Sequence, residues 1–320
     1  MMKFFITGAN GFVGGRLVKI LSQDADSEVV AAVRTLPESQ VVKVDYQVTD
    51  YTSFDKLSVQ LHGVDCVVHA AARVHVMNEA AVDPLEAFRK VNVEGTLRLA
   101  KAASLAGVKR FIFISSIKVN GESTLPGQPY TADAIPAPVD PYGISKEEAE
   151  RGLRALERES ALEVVIIRPV LVYGPGVKAN FRSMMNWLYK RVPLPFGAID
   201  NRRSLVFVDN LVDLIKVCTV HPGAAGHTFL ASDGDDISTT QLLRKIALAL
   251  GVRPMLLGIP TWVLRLVASS LGKKSISQRL CGSLQVDIRK NQRLLNWTPP
   301  IPVDAALQIT AQDFKERLKK

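Results

Sequence analysis

Residues Lys3 to Leu21 read KFFITGANGFVGGRLVKIL. A short run apolar on both faces meets glycines three apart, Gly8, Gly11 and Gly14, and a segment of helical period follows. Glycines between a strand and a helix allow a tight turn, the approach of a pyrophosphate to the backbone, and close packing of helix on strand. The helix N-terminus then favours the anion. The spacing here is GxxGxxG, whereas the commoner dinucleotide fingerprint is GxGxxG.

Further strand-like runs follow: EVVAAVR from Glu28, VVKVDY from Val41, DCVVHAAA from Asp65, RFIFISS from Arg110 and LEVVIIRPV from Leu162. Helix-length segments such as AFRKVNVEGTLRLAKAASLAG, Ala87 to Gly107, separate them. Runs apolar on both faces, alternating with helices, predict a parallel sheet covered on both sides. The fold class is therefore α/β, a doubly wound parallel sheet of Rossmann type. After Pro169 the alternation breaks down, resumes in LVFVDNLVDLIKVC from Leu205, and gives way to mostly helical sequence. A smaller, interleaved C-terminal domain is expected, with residues 1–170 and about 204–222 in the first domain and 171–203 and 223–320 in the second.

The chain has 320 residues, 47% of them hydrophobic, enough to bury a large core. A net charge of +9 suits polyanions, but no basic run with interleaved aromatics supports nucleic-acid binding, and an anionic small substrate is the simpler reading. Cys66, Cys218 and Cys281 lack metal or disulfide spacing and are read as buried thiols of a cytoplasmic protein. No metal is expected. The N-terminal apolar run is too short for a signal sequence, and no stretch is read as a membrane span. The nearest, MLLGIPTWVLRLVASSLGKK from Met255, is interrupted by Pro260 and Arg265 and is read as a packed helix of the second domain. A peripheral contact with a membrane or a lipid-linked substrate is its alternative.

In PYGISKEEAERG, from Pro141, Asp140 can cap a helix that Pro141 opens, which puts Tyr142 and Lys146 one turn apart on one face. A nearby cation favours the phenolate, bringing the tyrosine toward useful proton transfer. Upstream, FIFISSIKVNGE from Phe111 ends a strand at Ser115 and Ser116, where a hydroxyl could hold the same oxygen.

Glycine turn, serine and YxxxK in this order resemble the extended short-chain dehydrogenase/reductase family, whose members modify nucleotide sugars. The resemblance extends to HAAA at His69, VNVEGT at Val91, RPVLVYGPG at Arg168 and LNWTPP at Leu295, nearly the whole chain. It implies Ser116, Tyr142 and Lys146 as the catalytic set. It implies a dinucleotide held by Gly8, Asn10, Gly11, Phe12, Val13 and Gly14, by Ala70, Ala71 and Ala72, and by Asn92, Tyr142, Lys146 and Pro169. Arg34, where NAD-specific enzymes carry an acid, either pairs with a 2′-phosphate or is a strand-end charge in water, so the cofactor is NADPH or NADH.

For the substrate, the resemblance implies a UDP-sugar contacted by Arg73, His75, Ser116, Lys118, Tyr142, Asn180, Phe196, Arg203 and Arg279. Ile117 and Lys118 stand where 4,6-dehydratases of the family carry Asp and Glu, which argues against dehydration. AARVHVM at Ala71 and SSIKVNGE at Ser115 are similar to phrases of bacterial UDP-N-acetylquinovosamine dehydrogenases. That likeness, with Arg34, implies reduction of the C4 ketone of a UDP-2-acetamido-2,6-dideoxy-hexos-4-ulose for O-antigen synthesis. The alternatives are a UDP-hexose, UDP-N-acetylhexosamine or lipid-linked N-acetylglucosamine 4-epimerase that retains NAD, and a non-catalytic dinucleotide-binding protein. The family also implies a homodimer through the YxxxK helix and the preceding long helix.

Overall fold

The computed structural model describes residues 1–51, 53–73, 83–125, 127–270, 278 and 280–319. Its main sheet has seven parallel strands: β1 Met2–Thr7, β2 Ser27–Val33, β3 Val44–Val48, β4 Cys66–His69, β5 Arg110–Ile114, β6 Glu163–Pro169 and β9 Thr228–Ala231. Their order is β3-β2-β1-β4-β5-β6-β9, so the chain runs outward from β1 to β3 and then restarts beside β1 with β4. Connections leaving β1 and β4 diverge to opposite faces, and the crevice opens at this reversal.

Strand side chains alternate between two cores. Phe4, Ile6, Val29, Val68, Ile112 and Ile167 face Leu17 and Val18 of α1 (Phe12–Leu21) and Leu211 of α7 (Val208–Val220). Phe5, Val30, Val67, Phe111, Phe113 and Ile166 face Leu57 of α2 (Phe54–Gln60), Leu99 of α4 (Gly95–Leu105) and Leu153 of α5 (Pro141–Glu159). A third core joins Phe181 and Met185 of α6 (Ala179–Tyr189), Leu243 and Ile246 of α8 (Thr239–Leu250), and Leu307 and Phe314 of the C-terminal helix Val303–Leu318. Its strands are β7 Leu171–Tyr173 and β8 Leu205–Phe207. The doubly wound sheet is as the alternation predicts.

Three details differ from the sequence reading. Strand β3 begins at Val44, after Lys43 in left-handed backbone, rather than at Val41. The segment from Ala87 is not one helix: α3 (Pro84–Phe88) passes through a π-helical turn, Arg89–Glu94, into α4. Within the 223–320 stretch expected in the smaller domain, β9 forms an edge of the large sheet. Its four residues after Gly226 carry too short an apolar run to be read as a strand.

Candidate active site

Gly8, at φ +66, turns the chain out of β1. A Cβ there would lie 2.8 Å from Ala70 C and Ala71 N, so the loops after β1 and β4 approach as closely as backbone permits. A Cβ on Gly14 would collide with the Gly8 carbonyl oxygen, so the first turn of α1 also lies directly on this loop. Gly11 N donates to Gly8 O at 2.7 Å and closes the turn. No side chain caps α1 and no acid stands in its first turn, which suits an anion such as a pyrophosphate at its N–H groups. Asn10 Nδ2 donates to Thr35 O at 3.0 Å, tying this turn to the residue after Arg34, which is exposed just beyond β2. Phe12 packs against the third core and Val13 against the first.

Under the crevice, His69 is buried and its two ring nitrogens share hydrogen bonds with Thr7 Oγ1 at 2.7 Å and Thr96 Oγ1 at 2.9 Å. Thr7 Oγ1 also accepts from Ala71 N at 3.1 Å. The imidazole therefore pins the HAAA loop to β1 and α4. Burial, then the charge of Lys146, pushes its pKa down to about 3. An unfolded histidine binds its proton near pH 6.5, so the folded state loses stability as pH falls from 6.5 toward 3. His69 alone should cost about 2 kcal/mol between pH 7 and pH 5. Urea denaturation at both values should show that loss, and His69→Gln should flatten the slope. An unchanged slope in the variant would show that His69 does not carry it.

Asn92, in the π-turn, spends its whole amide internally. Its Oδ1 accepts from Arg73 N at 2.8 Å, and its Nδ2 donates to Arg73 O at 3.1 Å and Ser145 Oγ at 3.0 Å. It clamps the end of the HAAAR segment to the first turns of α5. The π-turn aims the amide at both partners, a common use of such turns near functional sites.

Asp140 Oδ1 accepts from Gly143 N at 2.7 Å with Pro141 in the first turn, the cap that the sequence predicts for α5. Tyr142 then lies edge-on against Phe88, ring centroids 6.0 Å apart. Burial and then Asp140 push its phenol up to about 12, the reverse of the lowering expected from a neighbouring ammonium. The reason is where the lysine goes. Lys146 Nζ donates to Ile114 O at 2.8 Å and sits 4.3 Å from the centre of the Phe113 ring, and burial pulls it down to about 7 against the opposing charge of Glu150. Ser116 follows β5 and accepts from Lys118 N at 3.3 Å. Serine, tyrosine and lysine thus come from the end of β5 and the start of α5, beside the glycine crevice.

Glu150 and Arg168 escaped the sequence reading as a pair, because residues on a helix and a strand give no periodic signal of their contact. Arg168 meets Glu150 through Nε at 2.9 Å and Nη2 at 2.5 Å, and its Nη1 donates to Asn120 Oδ1 at 2.9 Å. Ser115 Oγ donates to Glu150 Oε1 at 2.5 Å. These buried groups lock the ends of β5 and β6 to α5 directly behind Ser116 and Lys146. Pro169 is buried at the end of β6.

The residues expected at the sugar lie in several settings. Lys118 pairs with Asp140 and, at 3.1 Å, with Glu122. Arg73 lies 5.9 Å from the Phe88 ring centre. Asn180 is exposed at the start of α6, after Ala179 in left-handed backbone. Phe196 packs against the third core, and Arg203 donates to Gly282 O at 3.1 Å, burial lowering its pKa. His75 and Arg279 lie outside the described residues. Among the described residues no group of three or more His, Cys, Asp or Glu side chains could hold a metal ion. Cys66, Cys218 and Cys281 are buried.

Comparisons with known proteins place the chain in a family. Residues 4–231 match the profile of the NAD dependent epimerase/dehydratase family. A UDP-glucose 4-epimerase of Vibrio cholerae is 49% identical over 313 residues, 97% of this chain and 94% of that protein. One from Mycolicibacterium smegmatis is 32% identical, covering 78% and 83%. The solved UDP-glucose 4-epimerase of Thermotoga maritima, bound to UDP-glucose, superposes with a TM-score of 0.79 at 22% identity, covering 99% and 100%, a likeness of fold. The chain is therefore an enzyme of the NAD-dependent epimerase/dehydratase family, within the extended short-chain dehydrogenases/reductases.

Proposed function

We propose that this protein inverts C4 of a UDP-hexose or UDP-N-acetylhexosamine with a retained NAD. The observation that carries the reading is the 49% identity, over almost the whole of both chains, to a protein named UDP-glucose 4-epimerase. The 4-ketoreductase expected from two short phrases and Arg34 gives way to it. Arg34 is an exposed charge one residue past β2, and an exposed strand-end arginine is compatible with NAD as well as NADP.

When bound, NAD would supply a hydride acceptor and then a hydride donor for C4 of the sugar. The glycine turn, with Gly8, Gly11, Gly14 and the uncapped start of α1, would hold its pyrophosphate. Tyr142, as phenolate, would take the C4 hydroxyl proton as C4 is oxidised to the ketone, and would give it back to the same oxygen as C4 is reduced on its other face. Ser116 donates a hydrogen bond to the C4 oxygen throughout. Lys146, whose ammonium is directed at Ile114 O, would have to turn toward the phenol in the loaded site to offset its burial. Asn180, Phe196 and Arg203 would meet the UDP moiety, and α4 with α5 would form the interface of a homodimer.

The test is to incubate the purified protein, with no added cofactor, with UDP-glucose and separately with UDP-N-acetylglucosamine, following C4 by NMR. Interconversion of the C4 epimers, with NAD released on denaturation, is the expected result. A demand for stoichiometric NAD(P)H and net reduction of a UDP-4-keto sugar would restore the reductase.

A further inference from the structure

The stretch from Met255 was expected to be a packed helix, but α9 (Thr261–Ser270) contains no buried residue. Trp262 and Leu266, one turn apart on its outer face, are 70% and 65% exposed. The ledge leading into it continues the apolar surface. Leu194 N donates to Met255 O and Leu257 N to Leu194 O, so Leu256 turns inward while Met255 and Leu257 stand out on either side, each 51% exposed. Thr261 Oγ1 to Ala198 O, at 3.4 Å, joins the helix to the same ledge. Exposed tryptophan, leucine and methionine gathered on this ledge and helix mark an interaction site.

Its charge identifies the partner. No aspartate or glutamate occurs between Glu163 and Asp200 or between Asp236 and Asp287, the two stretches that build this ledge and helix. Exposed cations flank the strip: Lys190 and Arg191 enter the ledge, Arg253 precedes Met255, and Arg265 lies beside Trp262 and Leu266. A second copy seated here would set cation against cation. A polyanion without an apolar phase would leave Trp262 and Leu266 unused.

We propose that α9 and the Met255–Leu257 ledge dock this enzyme on an anionic bilayer surface. The apolar side chains enter the boundary between headgroups and acyl chains, and the four cations meet lipid phosphates. Among the described residues no helix is long and apolar enough to cross a membrane, so the attachment is peripheral and reversible.

Co-sedimentation with vesicles of phosphatidylglycerol and phosphatidylethanolamine, against vesicles of phosphatidylcholine alone, tests it. The intact protein should partition to the anionic vesicles and leave them as salt is raised, since each cation near such a surface is worth about fivefold in binding. Trp262→Ser/Leu266→Ser and Arg253→Gln/Arg265→Gln should each reduce partitioning by roughly tenfold or more. All four positions are exposed, so the unfolding midpoint should not move, which separates lost docking from lost folding. Failure to bind anionic vesicles, or equal binding by the variants, would overturn the proposal. So would a concentration-dependent rise in mass by light scattering that the Trp262→Ser/Leu266→Ser variant abolishes, since a second copy would then cover the face. Binding to duplex DNA that is as tight and is indifferent to Trp262 would also overturn it, reducing the patch to charge alone.

Discussion

Tyr142→Phe should lower turnover of the UDP-sugar by about 10²-fold or more while bound NAD stays near the wild-type level. The substitution removes one oxygen and keeps the ring, so the edge contact with Phe88 and the capped start of α5 survive. What disappears is the group proposed to take and return the C4 proton. The effect is large because nothing else in the first turn of α5 can replace it: Pro141 and Gly143 carry no titratable group. Single-turnover measurements with UDP-glucose, together with NAD content by absorbance after denaturation, separate chemistry from cofactor binding. Near-normal turnover in the variant would take the tyrosine out of the mechanism.

Arg168→Met should destabilise the protein by about 3 to 5 kcal/mol, the usual cost of leaving one member of a buried ion pair alone. Arg168 and Glu150 are both within the core, and among the described residues Glu150 would keep the Ser115 hydroxyl as its one hydrogen-bond partner. Removing both charges, Arg168→Met/Glu150→Leu, should recover much of the loss, since a well-packed apolar pair often matches a buried ion pair. Chemical denaturation of wild type, single and double variants completes the cycle. If the double variant is no more stable than the single one, the loss lies in packing rather than in the abandoned carboxylate. The double variant should also bring Lys146 lower still, because Glu150 is the charge that opposes its desolvation.

Much of the site was legible in the sequence because its parts are local. The glycine turn is three residues within seven positions, Gly8 required by its positive φ and Gly11 and Gly14 by the Gly8 carbonyl, and the α5 cap is an Asp-Pro pair directly ahead of the tyrosine. The six named strand runs all form strands of the main sheet; five of them are legible because a parallel strand buried on both faces must be apolar at nearly every position, while β3, at the edge, has no buried residue. The reaction was less legible. Short phrases around Ala71 and Ser115 pointed to a reductase, and similarity over the whole chain favours the epimerase.

Sequence by itself determined the doubly wound sheet, the glycine turn and the serine, tyrosine and lysine beside it, because periodicity and turn chemistry act over a few residues. Tertiary structure alone decided what those side chains touch. The direction of the Lys146 ammonium toward Ile114 O, the Ser115–Glu150–Arg168–Asn120 network, the amide clamp of Asn92 and the edge position of β9 all join residues far apart in the chain. The exposure of α9 belongs with them: an apolar helix looks the same in sequence whether a core covers it or not, and only the packing of the other elements leaves Trp262 and Leu266 uncovered.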